Sequence, residues 1–379
     1  ETGARMLAER LVADRGWEVE VLTTCARDAI TWADEFEPGT QWEHGVQVHR
    51  FVSESGRDRA FHPLWARLRE DPGAASPAET AQWLDLQGPR SSALLDAVVA
   101  SRADVIAFYP YLYHPTVRGL PLVRDRAVLH PAAHEEPALH LGLFDRLFAT
   151  CRAFAFHSRS ERALVQARFA VGATPQVVAG LGVQRPGPGA DAGPAALARR
   201  TWDLGDAPYV VCVGRVDDQK GTGVLWRFFR AYKARRPGPL RLVLVGQEVD
   251  RPEPCDDVVV TGPVDETTKW ALVEGARVLA APSPHESFSL TVVEALSVGV
   301  PVLVNAVCGP TREHCVHSGG GLWFDDFASF EAALDVLCTD DTTHAVMGGL
   351  GRAYVARHFA WPVVLERYCS FLERTFAQG

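Results

Sequence analysis

No basic stripe runs through this sequence, although nucleic-acid binders usually carry one. The formal net charge is −9. The longest cationic cluster, residues 227–236, is broken by aromatics and stops at Pro237, as the solvent face of a helix would. No apolar run approaches the roughly 18 residues needed to span a bilayer, and no cleavable leader pattern opens the chain. Cysteine spacing excludes another class. The eight cysteines (Cys25, Cys151, Cys212, Cys255, Cys308, Cys315, Cys338 and Cys369) include no pair within four residues, so zinc-knuckle and thioredoxin spacings are absent. A chain of 379 residues does not need disulfide staples, and the thiols are expected to be reduced, in a cytoplasmic protein. The Walker loop and the dinucleotide glycine fingerprint are missing as well, which disfavours P-loop enzymes and dehydrogenases.

What is present suits a soluble enzyme. Hydrophobic residues make up 47% and charged residues 22%, ordinary values that supply a large core. At roughly 100–200 residues per domain, the length implies two domains. Short apolar runs alternate with helical patterns: "EVEVLTT" (18–24), "ADVIAFY" (103–109), "RAVLHPA" (126–132), "AFAFHS" (153–158) and "PQVVAG" (175–180). Such alternation implies a parallel sheet covered on both faces. The chain opens on a helical pattern (1–15, with Met6, Leu7, Leu11 and Val12 on one side) where a strand is usual. The expectation is therefore that a first strand is missing. Residues 183–206, rich in Gly, Pro and Ala, read as an interdomain connection. The alternation then restarts with "YVVCVG" (209–214), "LRLVLVG" (240–246), "DVVVTG" (257–262), "RVLAAPS" (277–283) and "PVLVN" (301–305). Two Rossmann-like halves, 1–182 and 207–360, are expected to face a central cleft, where ligands bind beyond the carboxyl ends of the strands.

Three segments could carry chemistry. In "VGRVDDQKG" (213–221) a buried strand ends at Gly214 and a helix follows, with Arg215 and Lys220 between. A strand-to-helix turn presents unpaired amides, and two cations beside it make an anion site; a polar loop with two surface cations is the plainer alternative. In "PSPHESFSLTVVEALSVGVPVLVN" (282–305), Glu294 lies inside an otherwise apolar helix. Burying an unpaired carboxylate is costly, so Glu294 is expected to face a cleft and accept from ligand hydroxyls. Phe288, Ser289 and Leu290 form the helix start, whose amides favour a phosphate. The plainer alternative gives Glu286 a capping role and Glu294 a salt bridge. In "LHPAAHEEP" (129–137), His134 follows a strand, with His130 as a competing candidate.

These residues resemble the signature of retaining glycosyltransferases of family four, which have the GT-B fold. The family's two glutamates, seven residues between them, match Glu286 and Glu294; "GRVDDQKG" resembles its diphosphate turn, and "HFAWPVVLERY" (358–368) resembles its tail. The resemblance covers nearly all of 200–379 and is weaker over 1–182. It implies that Gly214, Arg215 and Lys220 hold the donor diphosphate and that Glu294 binds the ribose. Glu286 would contact the transferred sugar, and Phe288, Ser289 and Leu290 would offer backbone amides. Gly262, Pro263 and Val264 would lie against the base. His134 would face the donor sugar, and the helix at 361–379 would pack back on the first domain. Ser289 stands where the family usually has Gly. Gly3 would be the remnant of a Gly-rich turn touching the donor. Ser158 and Glu161, in "HSRSER" (157–162), would be structural.

By that resemblance the protein is a hexosyltransferase using a nucleotide diphosphate donor, UDP-sugars being favoured, acting with retention on a soluble hydroxyl acceptor. The other major glycosyltransferase fold clamps a metal with an Asp-x-Asp triplet, which this chain lacks, so neither metal nor cofactor is expected. Tyr109, Tyr111, Tyr113 and His114 could stack on or bond to the acceptor, or could be core and rim. The insertion 60–91 could form a helical lid. Two other readings stay open: a nucleotide-sugar epimerase or hydrolase on the same double fold, and a non-catalytic nucleotide-sugar-binding protein.

Overall fold

The computed structural model describes residues 2–185, 193–250, 253 and 255–376. The chain divides into two units, one formed by Glu1–Leu181 with Val364–Gly379, the other by Gly182–Val363.

The first unit opens with helix α1 (Thr2–Arg15), followed by strands β1 (Glu20–Thr24), β2 (Gly39–Glu43) and β3 (Val46–Phe51). His44 and Gly45 join β2 to β3, both at positive φ (49° and 83°), as a two-residue hairpin turn requires. Then come α2 (Phe61–Leu68), α3 (Pro77–Gln87), α4 (Ser92–Ala100), β4 (Ile106–Phe108), α5 (His114–Gly119), β5 (Ala127–Leu129), α6 (Leu143–Thr150), β6 (Ala153–Phe156), α7 (Arg159–Arg168) and β7 (Gln176–Val178). The expected single parallel sheet is two sheets here. One has the order β1-β3-β2, with β2 antiparallel, and the other the order β4-β5-β6-β7, all parallel. Leu22 of β1 packs on the same core as Leu129 and Phe154 of the second sheet.

The insertion 60–91 does not stand apart from this core. Phe61, Leu68, Trp83 and Leu84 are buried in it, and Ser76 and Glu79 close a capping box at the start of α3.

The second unit begins with α8 (Gly193–Thr201) and continues through β8 (Tyr209–Val213), α9 (Thr222–Arg235), β9 (Arg241–Val245), β10 (Val258–Gly262), α10 (Glu266–Glu274), β11 (Val278–Ala281), α11 (Leu290–Val298), β12 (Val302–Asn305), α12 (Gly309–Ser318), β13 (Gly321–Phe324), α13 (Phe327–Thr339) and α14 (Asp341–His358). Its six strands form one parallel sheet, ordered β10-β9-β8-β11-β12-β13. The inner strands are continuous apolar runs, as burial on both faces demands. Of the expected connection 183–206, residues 186–192 lie outside the described residues. The rest is not a loose tether: Ala198 of α8 is buried, and Arg199 donates to the Gly275 carbonyl at 3.3 Å.

The final helix, α15 (Trp361–Phe376), starts in the second unit and ends in the first. Its Leu365, Tyr368 and Leu372 are buried, and the Tyr368 hydroxyl lies 2.9 Å from His130 Nε2. Among the described residues no helix is long and apolar enough to cross a membrane.

Candidate functional site

The second unit gathers most of the expected donor residues at the carboxyl ends of β8 and β11. β8 ends at Gly214 with φ 143°, and a Cβ on the neighbouring Gly246 would fall 2.0 Å from the Gly214 carbonyl oxygen. Only a glycine at position 246 lets these strand ends approach so closely. The chain then turns through Arg215 to Asp217, which is 4% exposed. Asp217 accepts from the Lys220 amide at 2.7 Å and pairs with Arg215 Nη2 at 3.2 Å. Its carbonyl accepts from Thr222 Oγ1 at 2.9 Å. Gly221 enters α9 at φ 73°, where a Cβ would lie 2.5 Å from the Pro282 carbonyl oxygen. The start of α9 is therefore pressed against the loop that follows β11. Asn305, ending β12, fixes that loop from the other side by donating to the same carbonyl at 3.0 Å.

Glu286 lies on this loop, and its Oε1 accepts from Lys220 Nζ at 2.7 Å. Ser289 begins α11 in a left-handed conformation (φ 69°, ψ 85°) and makes no side-chain cap. The first amides of α11 thus keep their donors for an anion. Between these elements is a recess of about 180 Å³ whose lining includes Gly214, Arg215, Lys220, Thr222, Glu286, Ser289 and Leu290. Two cations and a helix start around one hollow offer donors that an anion could bind, with a carboxylate at the edge.

Other expected donor residues of the second unit do not line this recess. Glu294 lies further along α11, 7% exposed, and its Oε1 accepts from Lys269 Nζ of α10 at 2.9 Å. Its Oε2 is buried with no hydrogen-bond partner. Burial pushes the Glu294 carboxyl above its ordinary range, against the opposing pull of Lys269. Phe288 points inward: its ring meets His314 and Phe359 edge-on. Only its backbone can serve a ligand. Gly262 turns at φ 72° after β10, and Pro263 and Val264 lead from it to Asp265. Asp265 caps α10 by accepting from the Thr268 amide at 2.8 Å.

Two side chains that sequence reasoning passed over hold this assembly. Lys269 is one. His314 of α12 is the other, 1% exposed, with Nε2 2.9 Å from the Phe288 carbonyl and Nδ1 3.0 Å from the Tyr354 hydroxyl. A carbonyl only accepts, so Nε2 carries the proton and Nδ1 accepts from Tyr354. Burial pushes His314 down to about 4. The signal for Lys269 was the carboxylate of Glu294, which needed a cation in an apolar setting. His314 left no signal of that kind.

In the first unit, His134 is partly exposed, with Nε2 3.8 Å from Glu136 Oε1. The Tyr111 hydroxyl donates to that same oxygen at 2.8 Å. The loop before His134 is fixed from below. Glu161, 1% exposed, accepts from the amides of Ala133 (2.9 Å) and His157 (2.6 Å), and Ser158 Oγ caps the Glu161 amide at 3.0 Å. Burial pushes the Glu161 carboxyl up to about 8, while these amides pull it down.

Other first-unit candidates are inward-facing. His130 is 4% exposed, sits among Tyr109, His157 and Tyr368, and is pushed down to about 4 by burial. Tyr111, 1% exposed, packs its ring on Phe144 and Phe148, and His114 is buried 3.7 Å from Asp85. Tyr111 and His114 are thus core residues rather than an open surface for stacking. Tyr113 meets Trp32 edge-on. Gly3 sits within helix α1, not in a turn, and a Cβ there would fall 2.9 Å from Leu181. Its smallness serves helix packing.

Residues 207–340 match the family model described as glycosyl transferases group 1. Among curated proteins, the chain is 33% identical over 180 residues to a GDP-mannose-dependent alpha-mannosyltransferase of Mycolicibacterium smegmatis, covering 46% of this chain and 45% of that protein. It is 31% identical over 171 residues to a D-inositol 3-phosphate glycosyltransferase of Xylanimonas cellulosilytica, covering 41% and 40%. The chain thus spans a little under half the length of these curated relatives. Among solved structures, the sucrose-phosphate synthase of Thermosynechococcus elongatus superposes with a TM-score of 0.73 at 20% identity, over 99% of this chain and 93% of that one. At that identity the likeness concerns the fold. With residues 207–340 matched in sequence and nearly its whole length matched in architecture, the chain carries a glycosyl transferases group 1 domain and has the GT-B fold.

Proposed function

We propose that this protein transfers a sugar from a nucleoside diphosphate donor to a hydroxyl acceptor with retention of anomeric configuration. The observation that carries the reading is the convergence of Arg215, Lys220 and the uncapped start of α11 on one recess. In this reading the two cations and the helix amides take the diphosphate and stabilise the charge that develops as it leaves. Glu286 contacts the transferred sugar, Glu294 accepts from the ribose hydroxyls, and the turn at Gly262, Pro263 and Val264 flanks the base. The bond from the anomeric carbon to the leaving phosphate oxygen breaks as the acceptor oxygen bonds on the same face. The acceptor proton passes to that phosphate oxygen.

UDP-sugars are the first donors to try, and GDP-mannose is the direct competitor because a relative is named for it. Inositol phosphates are the first acceptors on the same ground. The test is a thermal-shift panel of UDP- and GDP-sugars on the wild type and on Arg215→Ala and Lys220→Ala. Stabilisation by one donor series, lost in both variants, supports the proposal. No shift with any donor overturns it. The anomeric configuration of the product, read by NMR, tests retention: an inverted product refutes the same-face step.

A further inference from the structure

Among the described residues Lys269 is the one cation bonded to Glu294, and its surroundings are unusual for a lysine on the outer layer of a parallel sheet. Its side chain is 14% exposed, although lysine is seldom buried without a partner. Its ammonium donates to Glu294 Oε1 at 2.9 Å and pairs with Glu266 Oε2 at 2.8 Å. Glu266 is on the surface, 70% exposed, whereas the Glu294 side chain is 10% exposed. The lysine therefore joins a solvated carboxylate to a buried one. The two oxygens of Glu294 differ sharply: one is held by Lys269, and the other is buried with no partner. An unpartnered buried carboxylate oxygen is costly and is the kind of acceptor that a ligand hydroxyl satisfies.

We propose that Lys269 is a positioning residue for nucleotide binding: its ammonium keeps Glu294 ionised in its buried site and turns the free Oε2 toward the ligand. The proposal rests on Glu294 as the acceptor for ribose hydroxyls. The charged groups acting on Glu294 are Lys269 and Glu266, both of α10. Arg352 of α14 reaches the other end of α11, at the Val298 carbonyl. Burial favours the neutral acid and Lys269 opposes it; the structure contains no second cation at hydrogen-bonding distance to replace it among the described residues. Removing the positive charge lets Glu294 hold its proton to higher pH than in the wild type. A protonated carboxyl loses acceptor strength, so nucleotide affinity becomes dependent on pH, low in acid and recovering as pH rises.

The experiment compares the full chain with Lys269→Gln, which keeps a hydrogen bond without the charge, and Lys269→Arg, which keeps the charge. Calorimetric binding of UDP and GDP is measured from pH 6 to 9. The wild type and Lys269→Arg should bind the preferred nucleotide with little change over this range. Lys269→Gln should bind at least tenfold more weakly at pH 6 and approach wild type at pH 9. Glu294→Gln should be weak throughout. In parallel, the side-chain carboxyl signal of Glu294 is titrated by NMR on protein labelled at glutamate, with Glu294→Gln giving the assignment. It should titrate at higher pH in Lys269→Gln than in wild type. Unchanged titration of Glu294 in Lys269→Gln overturns the proposal, as does pH-independent binding by that variant. If the wild type binds neither nucleotide, the donor reading of the recess fails, and the NMR titration still decides what Lys269 does to Glu294.

Discussion

Lys220 Nζ stands 2.7 Å from Glu286 Oε1, so the ammonium assigned to the diphosphate is paired with the carboxylate assigned to the transferred sugar. An entering diphosphate competes with Glu286 for the same cation. Replacing Glu286 by Gln removes both the competitor and a negative charge beside the anion. Nucleoside diphosphate binding should tighten by up to about 1 kcal/mol, the scale of a partly exposed ion pair. Sugar transfer should fall by roughly 10²-fold as a transition-state contact is lost. Calorimetry and a transfer assay on one preparation read both; weaker binding by the variant contradicts this account.

Ser289 supplies a second test. A side chain at φ 69° occupies backbone space that glycine enters freely, at a cost on the order of 1 kcal/mol. Ser289→Gly should raise the melting temperature of the second unit by a few degrees. Ser289→Val, branched at Cβ, should lower it. Equal melting temperatures for all three would show that this backbone carries no strain.

Gly221 meets both demands that exclude a side chain: φ is 73°, and a Cβ would come within 2.5 Å of a backbone oxygen, that of Pro282. Gly221→Ala must push the β11 loop away from the start of α9. The expected loss is about 2–3 kcal/mol of stability, together with nucleotide binding, because Lys220 and Glu286 lie on the two segments forced apart. Denaturation and thermal shift with nucleotide measure the two effects.

His314 gives a pH dependence with a definite sign. Its folded value is pushed down to about 4 from an ordinary value near 6.5. The unfolded chain therefore takes up the proton first, and the contribution of His314, complete above about pH 6.5, is lost as pH falls toward 4. His314→Gln should be less stable than wild type at pH 7.5 and should close the gap as the pH drops. A gap that stays constant between pH 7.5 and 4.5 would contradict the assignment.

Much of the second unit could be read directly. Its strands are uninterrupted apolar runs, Asp265 precedes α10 with a helix-capping side chain, and Glu294 is conspicuous in "TVVEALSV" because nothing else there is polar. The partner of Glu294 could not be read. Lys269 looks like any lysine on a helix, and its burial arises only when α10 is packed beside α11, 25 residues further on. His314 is hidden for the same reason, since its two bonds join residues 26 back and 40 ahead.

The first unit was less legible because aromatic and polar residues share its interior. "FYPYLYHPT" reads as a ligand surface, yet Tyr111 is needed to pack Phe144 and to bond Glu136. The hairpin of β2 and β3 passed unnoticed, although His44-Gly45 is a recognisable turn between alternating strands. Helix α8 forms in a stretch whose Gly, Pro and Ala content suggested a tether. Its alanines and arginines are good helix formers, and Ala198 finds a surface to cover.

The crossing made by α15 limits how the protein can be divided. The first unit is not one continuous stretch of chain, for it needs Val364–Gly379 as well as Glu1–Leu181. A fragment stopped after Leu181 would leave His130 without the Tyr368 hydroxyl and would lack the buried Leu365 and Leu372. Such a half-protein should be insoluble or molten when expressed alone. A shorter fusion, with α15 spliced directly behind Leu181, should restore an independently folding half.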